Sequence, residues 1–249
     1  MSVERATLAG RGCILYDASR VRKPIENVFD RSWWAANGTI EEVTGGRASV
    51  FLLGHEENSW VLRHYRRGGF IANVSADRYI WTGESRCRSF AEWRLLARLH
   101  SLGLPVPAPV AARYVRGALT YTADLITEFL HDTISLAKAM TSSQVQEAVW
   151  HSVGRTIASF HARGVHHADL NAHNVMLRLP SSSRALEPVR RAADVFLLDF
   201  DRGQIREPGE WEADVLARFR RSLEKVSRLA GQVFEDRCWL WVMEGYGER

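Results

Sequence analysis

Between Gly164 and Val175 the chain reads His166-His167-Ala168-Asp169-Leu170-Asn171-Ala172-His173-Asn174. The loop follows a helix-like segment and precedes a short apolar run. A carboxylate and an amide five positions apart in such a loop can face one ligand together. Asp169 can take a proton from a hydroxyl, and the amide oxygen of Asn174 can bind a cation. Phosphoryl transfer needs that pairing, one group to orient the nucleophile and another to hold Mg²⁺. The plainer alternative is a polar turn in which Asp and Asn cap backbone groups.

A metal-binding partner for Asn174 should lie on a nearby strand. Val195-Phe196-Leu197-Leu198-Asp199-Phe200-Asp201-Arg202-Gly203 provides one. A carboxylate after four apolar residues can be held rigidly at a strand end. Mg²⁺ takes one or two carboxylates and completes its shell with phosphate oxygens and water. Asp199 and Asn174 would be the protein's share. Asp199 as a turn former is the alternative, but two such pieces in this order favour phosphoryl transfer.

The surrounding pattern divides the chain. Gly38 to Tyr65 reads as a strand meander, with Gly45-Gly46 between the β-prone runs of Val43 to Leu53. A glycine turn can lie over phosphates, its backbone N–H groups unobstructed by side chains, or it can be an ordinary hairpin. Ile14 to Tyr16 suggests a short edge strand, and Phe29 to Ala36 a short helix or aromatic plug. Ser89 to His100 is an amphipathic helix, with Phe90, Trp93, Leu96 and Leu99 inward and Ser89 and Glu92 spaced as a capping box. Pro105 to Pro109 is a stiff connector. Ala111 to Val115 and Leu119 to Leu130 are strands.

After His131 the period becomes helical. Ser135 to Met140 is a short helix. Ser143 to Ala162 is a long one, with Val145, Val149, Val153, Ile157 and Phe160 as its core stripe and Gly164 as its C-cap. Val175 to Leu179 and Val195 to Phe200 are strands around an exposed insert. Trp211 to Ala230 is a last amphipathic helix, and Trp239 to Val242 packs as a tail. The expected fold class is α+β with two lobes, residues 1–130 and 131–249, and a ligand cleft between them.

Composition narrows the classes. A chain of 249 residues can bury a full core. Cys13, Cys87 and Cys238 lack metal-site spacing, so neither disulfides nor structural zinc is expected. No apolar run approaches the ~20 residues of a membrane span. Met1 to Arg11 lacks the apolar core of a signal peptide, which makes the cytoplasm the expected compartment. Of 33 basic residues only Lys23, Lys138 and Lys225 are lysine, and arginine is the better bidentate ligand for phosphate and carboxylate. The net charge of +4 suits an anionic substrate or membrane surface. With no basic helix or repeated aromatic platform, nucleic acid is not expected as a partner.

The segments around Asp169 and Asp199 resemble the protein-kinase-like fold. Together with Arg63-His64-Tyr65-Arg66-Arg67-Gly68-Gly69, they resemble the 3-deoxy-D-manno-octulosonic acid (Kdo) kinase family, over about residues 38–203. The resemblance implies an ATP- and Mg²⁺-dependent kinase that phosphorylates a Kdo sugar on a lipid A precursor during lipopolysaccharide core synthesis. Such an enzyme would work at the cytoplasmic face of the inner membrane of a Gram-negative bacterium, in peripheral contact with its anionic surface. Carried over, Asp169 is the catalytic base, and Asn174 and Asp199 are the metal ligands. Gly45 and Gly46 cover the phosphates, and Glu128, Phe129 and Leu130 meet adenine through the backbone.

Two positions depart from the family pattern of kinases. No lysine lies in a suitable strand, so Arg63 takes the phosphate role with Glu92 as its partner. Asp201 stands where a glycine is usual. With no activation segment after Gly203, a sugar acceptor fits better than a protein. Arg66, Arg67 and Arg202 are candidates to hold an anionic acceptor. A kinase for a heptose or aminoglycoside, or a catalytically dead binding module of the same fold, are the alternatives.

Overall fold

The computed structural model describes residues 1–8, 12–21, 25–43, 50–55, 58–66, 77–142, 145–178 and 194–248. Gly45, Gly46 and Arg67 lie outside them. The chain divides into two units, Met1–Arg98 with Pro107–Phe129 and Leu99–Val106 with Leu130–Arg249.

In the first unit, β-branched and aromatic residues alternate along antiparallel strands. These are β1 (Val3–Leu8), β2 (Gly12–Asp17), β3 (Thr39–Val43), β4 (Val50–His55), β5 (Asn58–His64), β6 (Tyr79–Ile80), β7 (Pro109–Arg116) and β8 (Thr120–Glu128). Their order is β1-β2-β7-β8-β5-β4-β3, with β6 also on β8. Residues 14–16 are not an edge strand, as their short run suggested. β2 is buried throughout and lies between β1 and β7. The edge on that side is β1, whose exposed Glu4 and Arg5 hid it as a strand, since charge is commonly placed on edges.

One sheet face is closed by α1 (Arg31–Asn37), which drives Trp34 against Trp60 at 5.8 Å between ring centroids. Trp34 and Trp60 share a buried cluster with Ile14, Phe29, Leu62 and Ile126. The helix α2 (Arg88–Ser101) buries Phe90, Trp93, Leu96 and Leu99. Ser89 does not cap it, as the capping-box spacing implied. The helix begins one residue earlier, and Ser89 Oγ donates to the Arg113 carbonyl at 2.9 Å. Glu92 is thereby released to serve another partner.

The second unit is mainly helical, with α3 (Leu136–Ser142), α4 (Glu147–His161), α5 (Trp211–Leu229) and α6 (Asp236–Gly247). Val149, Val153, Ile157 and Phe160 are buried along α4, as their spacing requires. The tryptophan-rich tail is itself a helix, α6, laid on α4. Gly154 and Gly245 allow this crossing, because a Cβ on either would strike the backbone of the other helix. Between these helices run β9 (Thr133–Ser135), β10 (Val165–His166), β11 (Val175–Arg178), β12 (Val195–Leu197) and β13 (Gln204–Ile205). β11 pairs with β9 and β12, and β10 pairs with β13.

Candidate active site

The β11–β12 register places the second unit's polar residues. Val175 faces Leu197, and one step further the Leu198 N–H donates to the Asn174 carbonyl at 2.9 Å. Asn174 and Asp199 therefore leave the ends of adjacent paired strands. Asp199 has φ +62, a left-handed conformation uncommon for a residue with a side chain. Such backbone strain concentrates at functional sites. Arg202 is also left-handed, at φ +61. Position 201 is not among the left-handed residues, so its aspartate meets no requirement for glycine.

The loop holding Asp169 is built from its own polar side chains. Asn171 Nδ2 donates to the Asp169 carbonyl at 2.9 Å, and Asn171 Oδ1 accepts the His173 N–H at 2.9 Å. Asn174 Nδ2 also donates to the Asp169 carbonyl, at 3.0 Å. This leaves Asn174 Oδ1 as an oxygen donor for a hard cation. An amide oxygen beside a carboxylate at a strand end fits Mg²⁺. Asp169 itself keeps a side chain 65% exposed, open to an acceptor.

His167 ties these pieces together. It is buried, with Nδ1 accepting the Asp169 N–H at 3.2 Å and Nε2 facing the Leu198 carbonyl at 2.9 Å. That geometry selects the neutral imidazole with its proton on Nε2. Burial agrees, holding the pKa below the usual histidine value. Phe200 packs on the His167 ring at 4.7 Å and stacks with Phe160 at 5.7 Å.

Helix α5 closes the loop from outside. Ser222 Oγ accepts the Ala172 N–H at 3.1 Å, and one turn earlier Arg218 lies 3.8 Å from Asp169 Oδ1. Sequence reasoning missed both residues, together with Asn171 and His167. Arg218 and Ser222 are four apart and flank the buried stripe of Val215, Phe219 and Leu223. That shared flank was the available signal.

In the first unit Arg63, on β5, pairs with Glu92, on α2, and Tyr65 donates to the other Glu92 oxygen. Glu92 is only 2% exposed, so its charge depends on these two partners. Arg66 is exposed. The Glu128 and Phe129 N–H groups already donate to the Ala108 and Ser59 carbonyls, each at 2.9 Å, and Glu128 pairs with Arg20 at 3.4 Å. The Leu130 carbonyl accepts from Thr133 Oγ1 at 2.8 Å. These bonds narrow the backbone groups left for adenine in that segment.

Comparison with known proteins gives this geometry a context. A 3-deoxy-D-manno-octulosonic acid kinase of Xylella fastidiosa (strain M23) is 41% identical over 90% of this chain and 86% of its own length. The protein of that name from Xanthomonas campestris pv. campestris (strain B100) is 41% identical over 87% of this chain and 82% of its own. Among solved structures, WaaP in complex with acyl carrier protein covers 92% of this chain and 88% of its own, with a TM-score of 0.55 at 18% identity. The Rio2 kinase–ADP/Mg²⁺–phosphoaspartate complex from Chaetomium thermophilum covers 78% of this chain and 56% of its own, with a TM-score of 0.50 at 16% identity. Both structures carry the kinase-like α+β fold. The model of the lipopolysaccharide kinase (Kdo/WaaP) family matches residues 31–246, and this chain belongs to that family.

Proposed function

We propose that the protein transfers the γ-phosphoryl group of ATP to a hydroxyl of Kdo on a lipid A precursor, in lipopolysaccharide core synthesis. The observation that carries this reading is the shared frame of Asp169, Asn174 and Asp199, joined through His167 and the β11–β12 ladder. Identity of about two in five with kinases named for that acid, over most of both chains, supports the acceptor.

Asp169 orients the acceptor hydroxyl and takes its proton. Asn174 Oδ1 and the Asp199 carboxylate would hold Mg²⁺, which when bound would supply charge neutralisation at the phosphates. Arg63, fixed by Glu92 and Tyr65, adds cationic charge toward the α- and β-phosphates, with Gly45 and Gly46 covering them. Leu130 offers its backbone to adenine. Arg66, Arg67 and Arg202 remain candidates for anionic groups of the acceptor.

No helix among the described residues is long and apolar enough to cross a membrane. A lipid-linked acceptor then calls for peripheral contact at the cytoplasmic face of the inner membrane. The test is direct: purified protein, labelled ATP, Mg²⁺ and a Kdo-bearing lipid A precursor, beside heptose and aminoglycoside acceptors. Label passes to the Kdo lipid. Transfer only to another acceptor, or none under any divalent metal, would overturn the proposal.

A further inference from the structure

Arg218 has a property that its structural surroundings do not use. Asp169 is the one carboxylate within ion-pair distance of it among the described residues, and at 3.8 Å the two are too far apart for a hydrogen bond. Both side chains are more than half exposed, at 52% and 65%. An ion pair so open to water contributes little to the fold. The structural work at this point of α5 is done by Ser222, through its bond to the Ala172 N–H. The guanidinium fork of Arg218 is left facing solvent beside the candidate base.

The local charge has a matching sign. Burial and the nearby positive charges of Arg206 and Arg218 hold the pKa of His166 below its usual value. Arg218 therefore sets a guanidinium group beside Asp169, and Arg206 adds positive charge near His166. A cationic rim beside a base selects acceptors with an anion close to the reacting hydroxyl. A sugar acid has that arrangement, and a planar carboxylate matches the arginine fork in a two-point contact. A neutral sugar would leave the fork unused.

We propose that Arg218 binds the carboxylate of the acceptor sugar acid and so places a hydroxyl of the same ring against Asp169. The inference rests on the kinase reading and adds to it the group that selects an acidic acceptor. Arg218 would then determine specificity, while Asp169 takes the proton.

The test compares the full-length wild type with Arg218→Gln and Arg218→Lys. Each is assayed on the Kdo-bearing lipid A precursor and on the same lipid with the Kdo carboxylate converted to its amide. On the acid, Arg218→Gln should raise the acceptor KM roughly ten- to hundred-fold, the range of a charge-assisted bidentate contact, with the KM for ATP unchanged. On the amide, wild type and variant should differ by less than about threefold. Arg218→Lys keeps the charge without the fork and should fall between the two on the acid. It also supplies the comparison if the glutamine variant melts early.

An equal loss on both acceptors, or a fall in kcat with the acceptor KM unmoved, would overturn the carboxylate site while the kinase reading stands. No transfer by the wild type to either lipid would instead overturn the kinase reading, and this site with it.

Discussion

His167 Nε2 lies 2.9 Å from the Leu198 carbonyl while its Nδ1 accepts the Asp169 N–H at 3.2 Å, so one imidazole joins the loop of Asp169 to the strand end before Asp199. A shift of the Asp169 loop or of the backbone before Asp199 would disturb that ring. His167→Phe fills the space but leaves the Leu198 carbonyl and the Asp169 N–H unpaired. Each lost bond to a buried group costs about 1–3 kcal/mol. The variant should melt lower and lose at least ~10-fold in kcat, with a smaller change in KM for ATP, read by thermal denaturation and steady-state kinetics.

The Arg63–Glu92 pair makes a different prediction, because Glu92 is buried. Arg63→Ala leaves its carboxylate with Tyr65 as the remaining partner of the two and should destabilise the protein by roughly 3 kcal/mol. Glu92→Gln together with Arg63→Ala should recover much of that loss, since no buried charge is stranded. Nucleotide affinity should fall in both variants. Denaturant unfolding and ATP titration read the two effects separately.

His64 gives a pH dependence with a definite sign. Its Nδ1 lies 2.7 Å from Asp124, which also holds Arg113, and Asp77 faces its Nε2 at 3.6 Å. The hydrogen bond to Asp124 raises its pKa above the usual histidine value, against the opposing effect of burial. The folded state therefore binds this proton more tightly than the unfolded chain. The stability that His64 contributes is full below about pH 6.5 and is lost as the pH rises through its raised folded value. The difference in melting temperature between wild type and His64→Gln should narrow from pH 6 to pH 9.

Gly154 and Gly245 test the packing of α4 on α6. Alanine suits a helix interior better than glycine by ~0.5–1 kcal/mol. Here a Cβ at Gly154 would meet the Val242 carbonyl, and one at Gly245 the His151 backbone, neither of which can rotate away. Either alanine variant should lose about 1–3 kcal/mol despite the better helix propensity, read as a lower melting temperature.

Much of this site was legible because its chemistry sits in local order. Asp169, Asn174 and Asp199 lie in short polar segments next to apolar runs, and the pairing of Arg63 with Glu92, which the resemblance to kinases implied, is present in the structure. The parts that were missed depend on contacts distant in sequence. Arg218 and Ser222 reach the loop from a helix about fifty residues downstream, and an arginine on a helix flank looks like solvated surface until the loop is beside it. His167 was hidden by its type, since a buried neutral histidine and an exposed one read alike. The β1 edge was obscured by its charges, and α6 by glycines whose role is close helix contact.

The central claim is that Asp169 is the base in phosphoryl transfer to a Kdo hydroxyl. Asp169→Asn keeps the size of the side chain and removes its basicity. The decisive measurement is single-turnover transfer from labelled ATP to the Kdo-bearing lipid, alongside the Kd for ATP. The account predicts a rate lowered by about 10²- to 10⁴-fold, with the Kd within a few-fold of wild type. Transfer by Asp169→Asn at the wild-type rate would contradict it.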